Sequence, residues 1–164
     1  MLNLVCDYVK GLLNFDETKI VIGRLNFEAN DFNENFIVVD SLNMKPLGTT
    51  EKWNNDVMIY CTRISANITI DFLGNNSLQN ASNFINLQSS QNASDLQNEL
   101  NIGVFHSKSI KNLKEQVGLN YYMRYQIELV VMTTLETEVN TLNIESAQFE
   151  LHNEKEVIEF TVPN

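Results

Sequence analysis

The sequence predicts a single α/β domain of the α+β type spanning residues 1–164, with a mixed, largely antiparallel β-sheet of long strands flanked by two or three helices. Three observations carry that reading. From Tyr121 to Val139 the odd positions are Tyr121, Met123, Tyr125, Ile127, Leu129, Val131, Thr133, Leu135, Thr137 and Val139, while the even ones include Arg124, Gln126, Glu128, Glu136 and Glu138. Alternation of this kind is the period of a half-buried strand. A second run puts Met58, Tyr60, Ile64, Ala66, Ile68, Ile70 and Phe72 on one side and Arg63, Ser65, Asn67, Thr69 and Asp71 on the other. Common strands have about 5 or 6 residues, so an unbroken Tyr121–Val139 run, at ~60 Å, would protrude and meet another subunit. The third observation is a set of apolar stripes at helical spacing, enough to cover one face of such a sheet.

Taken in chain order, Leu2, Val5, Val9, Leu12 and Leu13 share one helical face, predicting an opening helix that ends between Gly11 and Asn14. Lys19–Ile22 reads as a short strand, 24–35 as an Asn-rich loop, and Phe36–Asp40 as a second short strand. Pro46-Leu-Gly48 marks a turn. Gly74 ends the strand that starts near Met58, and Asn76 with Gln79 spells a capping box for a helix over 77–90. Ser94 with Gln97 repeats the box for a shorter helix over 94–100. Gly103–Ser107 reads as a brief strand and 108–118 as a loop or helical turn. After the long strand, Ala147, Phe149 and Leu151, then Ile158, Phe160 and Val162, alternate around a turn at Asn153–Lys155, predicting a closing antiparallel hairpin.

Composition narrows the function classes. A formal charge of −10, with 11 basic residues scattered along the chain, excludes a surface built to grip phosphate. Acidity of this size keeps a protein soluble, and it also suits a surface that DNA must slide past. No apolar run approaches the ~20 residues of a membrane-spanning helix, and Met1–Lys10 carries Asp7 with no basic leader or cleavage site. Both point to synthesis in a reducing cytoplasm, where the sequons at Asn67, Asn75, Asn80 and Asn92 carry no glycan.

The inventory for catalysis is thin. Cys6 and Cys61 form no CxxC pair and are expected as free thiols; no metal and no cofactor are expected. His106 and His152 have no partner at ligand spacing. Gly74–Ser77 joins a strand to a helix N-terminus, a geometry able to hold an anion, but with one glycine and no lysine it matches neither phosphate-binding motif. Glu136 with Glu138, and Glu154 with Glu156, are carboxylates two apart on a strand. That spacing could serve acid–base work or a divalent ion; on an exposed strand it more often discourages unwanted edge pairing. Arg63 and Arg124, two of the three arginines, sit on the polar sides of the long strands and invite cross-strand pairing with acids; Arg24 is the third.

Lys19-Ile-Val-Ile-Gly-Arg-Leu-Asn-Phe27, Asn35-Phe-Ile-Val-Val-Asp40, Ile68-Thr-Ile-Asp-Phe-Leu-Gly-Asn-Asn76, Asn80-Ala81 and Gly118-Leu-Asn-Tyr-Tyr-Met-Arg-Tyr-Gln-Ile-Glu-Leu129 follow one another in an order that resembles the neck or tail terminator proteins of tailed bacteriophages. The likeness spans residues 19–150 and rests on texture, chiefly Ile-Asp-Phe-x-Gly and Tyr-x-x-Arg-Tyr-Gln-Ile-Glu. It implies a structural virion protein forming a hexameric ring at the head-proximal end of the tail, which stops tube polymerisation and joins the tail to the head completion or connector protein. Its other partners would be copies of itself, the tail tube protein and, as a candidate, the sheath. DNA would pass through without specific binding.

Within that picture Met58, Tyr60, Thr62, Thr133, Leu135, Thr137 and Val139 are the expected subunit-contact residues, and Glu136 and Glu138 the acidic groups expected to face the channel. Two other classes stay open on the sequence. One is a small soluble enzyme or anion- or ligand-binding domain using the Gly74–Ser77 junction. The other is a tube or baseplate subunit of the same particle.

Overall fold

Alternation built the sheet, and its length set the shape. In the computed structural model, which describes residues 1–23, 34–54, 57–106, 109–113, 115–117, 120–140, 146–148 and 159–161, three strands dominate. They are β2 (Phe36–Asn54), preceded by the short β1 (Ile20–Ile22), then β3 (Val57–Leu73) and, further on, β8 (Arg124–Asn140). β2 has 19 residues and the other two 17 each, so β3 and β8 each reach about 55 Å at ~3.3 Å per residue. β3 lies between β2 and β8, antiparallel to both, from Val57 opposite Asn140 to Leu73 opposite Arg124. β1 adds to β2 in parallel, which makes the sheet mixed. On the other side β8 carries β4 (Ile102–His106) and β5 (Lys111–Asn112), both antiparallel.

Helices α1 (Leu2–Leu13), α2 (Ser77–Leu87) and α3 (Gln91–Glu99) cover one face of the sheet's base. Val5, Tyr8, Val9 and Leu12 of α1, Ala81 and Phe84 of α2, and Ala93 of α3 pack onto Ile37, Val39, Ala66, Ile68, Ile70, Phe72, Ile127, Leu129 and Val131. Phe84 is the hub, edge-on to Tyr8 with ring centroids 6.2 Å apart and tilted against Phe72 at 5.8 Å. Each such side chain withdrawn from water contributes about 1.5–3 kcal/mol. Asn14 ends α1 in the left-handed conformation at φ 49°, inside the stretch the sequence marked.

Several sequence expectations need correcting. β2 runs through the predicted turn: Pro46 pairs opposite Ile64 and Gly48 opposite Arg63, with the extra residue, Leu47, absorbed as a bulge. A second bulge at Leu42 shifts the register between Ser41 and Asn43. Each bulge moves the alternation by one place and so hides a long strand from a period-two reading. The Asn76 side chain makes no capping bond; its backbone N–H is instead held by Asn35 Oδ1 at 2.7 Å. α3 begins earlier than expected, where Ser90 Oγ accepts from Ala93 N–H at 3.2 Å, leaving Ser94 inside the helix. Gln97 then receives Val104 N–H at 2.9 Å and ties α3 to β4.

The 108–118 segment contains β5 and β6 (Glu115–Val117), and β6 pairs with β7 (Asn120–Tyr122) in a small antiparallel sheet. The closing hairpin appears as β9 (Ser146–Gln148) against β10 (Glu159–Thr161), with Ala147 opposite Phe160. The expected loop at 24–33, His152, the 153–155 turn, and Glu154 with Glu156 lie outside the described residues.

Candidate assembly interface

The helix layer stops short of the sheet's far end. Ala66 and Val131, opposite one another, are fully buried beneath it. Past Ile64, β2, β3 and β8 continue as a three-stranded ribbon to the rung where Asn54 lies opposite Val57, a projection of about 23 Å for the β3 residues 57–63. Its two faces differ because alternation persists after cover ends.

One face continues the core side. Met58 lies opposite Val139, Tyr60 opposite Thr137, Thr62 opposite Leu135 and Ile64 opposite Thr133, so all seven residues singled out from the sequence as contact candidates fall on this face. β2 adds Trp53 beside Met58 and Met44 beside Ala66. The apolar groups are open to water: Trp53 is 62% exposed, Leu135 49% and Val139 43%. Trp53 and Met44 went unnoticed in the sequence because the bulges break the period. The signal that could have found them was the Asn54-Asn-Asp56 composition, which directly after Trp53 and before the Met58 alternation marks two paired strands in sequence.

The other face is mainly polar, with Ile59 buried between Lys52 and Glu138. Lys52 Nζ meets Glu136 Oε1 at 2.9 Å, and Cys61 Sγ donates to the same oxygen at 3.5 Å. The Lys52 hydrogen bond, then that from Cys61, holds the Glu136 carboxyl below its usual range, and Glu136 raises the ammonium of Lys52. Glu138 shares this face one step nearer the tip, opposite Ile59, and makes no ion pair among the described residues. Arg63 stands on the same face between Gly48 and Thr134. Arg124 lies deeper, paired in-chain with Asp71 at 2.8 Å. The carboxylate pair is therefore part of a mixed-charge surface.

Among the described residues the Gly74–Ser77 junction is not assembled as a ligand site. At the Gly74–Ser77 junction the amides are engaged: Asn76 N–H by Asn35, and Ser77 N–H by Gly74 C=O at 3.1 Å. No amide of that pair is left for an anion. A cleft of about 420 Å³ beside β4 is walled by residues such as Arg63, Gln97, Asn101 and Thr133, and none of the described residues lining it is a carboxylate, histidine or cysteine. Among the described residues no group of three His, Cys, Asp or Glu is placed to hold a metal ion, and no helix is long and apolar enough to cross a membrane. Cys6 and Cys61 are both free.

Fold and surface together define an α+β protein that presents a half-apolar β-ribbon. A family model of phage neck terminator proteins matches residues 3–155. The chain belongs to that family and is a structural protein of the phage neck, a component of the virion that interacts with other tail or head proteins. A comparison with curated proteins found no match.

Proposed function

We propose that the protein closes into a hexameric ring on the head-proximal end of the tail, stops tube polymerisation there, and offers its other side to the head completion or connector protein. The observation that carries this reading is the ribbon. Toward its tip the apolar face leaves Trp53, Leu135 and Val139 exposed among the described residues, although exposed apolar surface costs about 25 cal/mol per Å² against burial. A neighbouring copy supplies the cover, with Met58, Tyr60, Thr62, Thr133, Leu135, Thr137 and Val139 as the contact face. The polar face turns to the channel and brings Glu136 and Glu138 to it. Lys52 and Arg63 lie on the same face, so the channel is polar with both signs interspersed, and DNA slides past without a continuous cationic track to hold it.

Tube protein, and in a contractile tail the sheath, would end against one side of this ring. No cofactor enters the account. Assembly takes place in the host cytoplasm. The test is a phage in which this gene carries an early stop codon. Its tails should lose their uniform length, with tubes extending past the normal end and failing to join heads, and the intact gene supplied in trans should restore both. Tails of unchanged length, joined to heads, would overturn the reading.

A further inference from the structure

The ribbon has three strands, and that odd number decides how copies can meet. β2 and β8 both run antiparallel to β3, so the two outer strands run in the same direction. Each also has an open edge. β1 accompanies β2 only as far as Val39, and β4 accompanies β8 only as far as Thr133; beyond those points no described strand pairs with either outer side. An unpaired edge presents a row of free N–H and C=O groups, a template for another strand.

The β2 edge is guarded over part of its length. Bulges at Leu42 and Leu47 interrupt it, and Pro46, which has no N–H, lies between them. From Thr49 to Asn54 the register is unbroken. On β8 the open stretch is Thr134–Asn140, also unbroken. The two stretches lie level, because β3 spans them rung by rung: Thr62 between Thr49 and Leu135, Ile59 between Lys52 and Glu138, Met58 between Trp53 and Val139.

We propose that the open edge of β8 in one subunit pairs, in parallel, with the Thr49–Asn54 edge of β2 in the next, so that the ribbons join into a continuous sheet around the ring. The proposal rests on the ring reading above and adds an edge seam to its face contact, one at which Leu135 and Val139 of the outer strand β8 meet the next copy while the central-strand residues Met58, Tyr60 and Thr62 do not. Rotation about a ring axis keeps every strand pointing the same way, so the strands meeting at the seam are parallel. A two-fold dimer would instead pair β8 with β8, or β2 with β2, antiparallel. Parallel pairing at level register keeps like faces together. On the apolar face Trp53 of one copy comes beside Leu135 and Val139 of the next. On the polar face Lys52 comes beside Glu138, the carboxylate that lacks an ion-pair partner among the described residues. Apolar meets apolar, and cation meets anion.

Cysteine cross-linking tests the seam. In a Cys6→Ser, Cys61→Ser background, Lys52→Cys is combined with Glu138→Cys, and in a second protein with Glu136→Cys, which covers a two-residue slip. Within one chain Lys52 and Glu138 lie level and two strands apart, about 9.5 Å, and Glu136 is two residues further along, at roughly 11–12 Å; both exceed the ~7 Å limit for a disulfide, so any bond formed joins two copies. Mild oxidation of purified protein and of assembled tails should give a ladder of cross-linked species up to the closed ring in at least one double variant, and no product from the single variants. Dimers from a single variant would mean two-fold edge pairing and overturn the proposal. Rings visible by electron microscopy with no ladder from either double variant would also overturn it while leaving the ring intact. Absence of both rings and ladder, on tails as well as in solution, would remove the ring reading with it.

Discussion

Arg124 Nη2 donates to Asp71 Oδ2 at 2.8 Å from the neighbouring strand, and Gln126 Nε2 holds the other carboxylate oxygen at 2.9 Å. The Asp71 and Arg124 side chains are only 6% and 17% exposed, so this pair works in a poorly solvated place near the base of the sheet. Breaking one side of such a pair leaves a charge without compensation. Arg124→Met should therefore lower unfolding free energy by about 3–5 kcal/mol, whereas Arg124→Met with Asp71→Asn should lose clearly less. Urea unfolding of the two variants checks it; equal losses would mean the charge pairing is incidental.

Gly74 turns the chain from β3 into α2 at φ +97°, with the Glu34 carbonyl oxygen 2.4 Å and Asn35 Cα 2.8 Å from where a Cβ would sit. Any side chain there meets backbone that cannot swing away. Gly74→Ala should cost at least about 2 kcal/mol, a fall of roughly 4–8 °C in melting temperature for a chain of this size. An unchanged melting curve would show that the 34–35 segment is free to yield.

Burial, and then the nearby charge of Asp7, pushes the Cys6 thiol up to about 11 from 9.0. The raised value means that the folded state favours the protonated thiol. The stabilising contribution is whole below the thiol's ordinary value and is lost as pH rises through about 11. Alkylation of native protein by iodoacetamide should leave Cys6 nearly unmodified at pH 8 and speed up steeply toward pH 11, while denatured protein reacts at both. Rapid native labelling of Cys6 at pH 8 would contradict this.

What the sequence made legible was decided by how local each signal is. β3 could be read almost to the residue because alternation is a property of adjacent positions, and Ile68, Ile70, Ile127 and Leu129 are buried as that alternation requires; the run expected to start at Tyr121 is instead broken, with Tyr121 and Tyr122 paired to β6 as part of β7 and β8 starting at Arg124. β2 could not be read in that way, since Leu42 and Leu47 each displace the pattern and Pro46 and Gly48 imitate a turn. Only pairing with a partner strand holds those residues extended, and pairing is long-range. The start of α3 was missed for a related reason: Ser90 is followed three residues later by alanine, so its cap lacks the reciprocal glutamine that marks a box. Contact candidates on β3 and β8 were visible as faces, while Trp53 and the open edges emerge only when three strands are aligned.

The central claim is that the ribbon's apolar face builds the neck ring. Leu135 and Val139 are 49% and 43% exposed in the single subunit, so replacing both with Asp should leave the fold and its melting temperature close to wild type. At a subunit contact the same carboxylates would be buried without partners, at several kcal/mol each. The direct measurement is electron microscopy of particles from a phage carrying Leu135→Asp with Val139→Asp, alongside a melt of the purified variant. Loss of neck rings and of finished tails with a folded subunit is the result predicted; normal particles of uniform tail length would contradict the account.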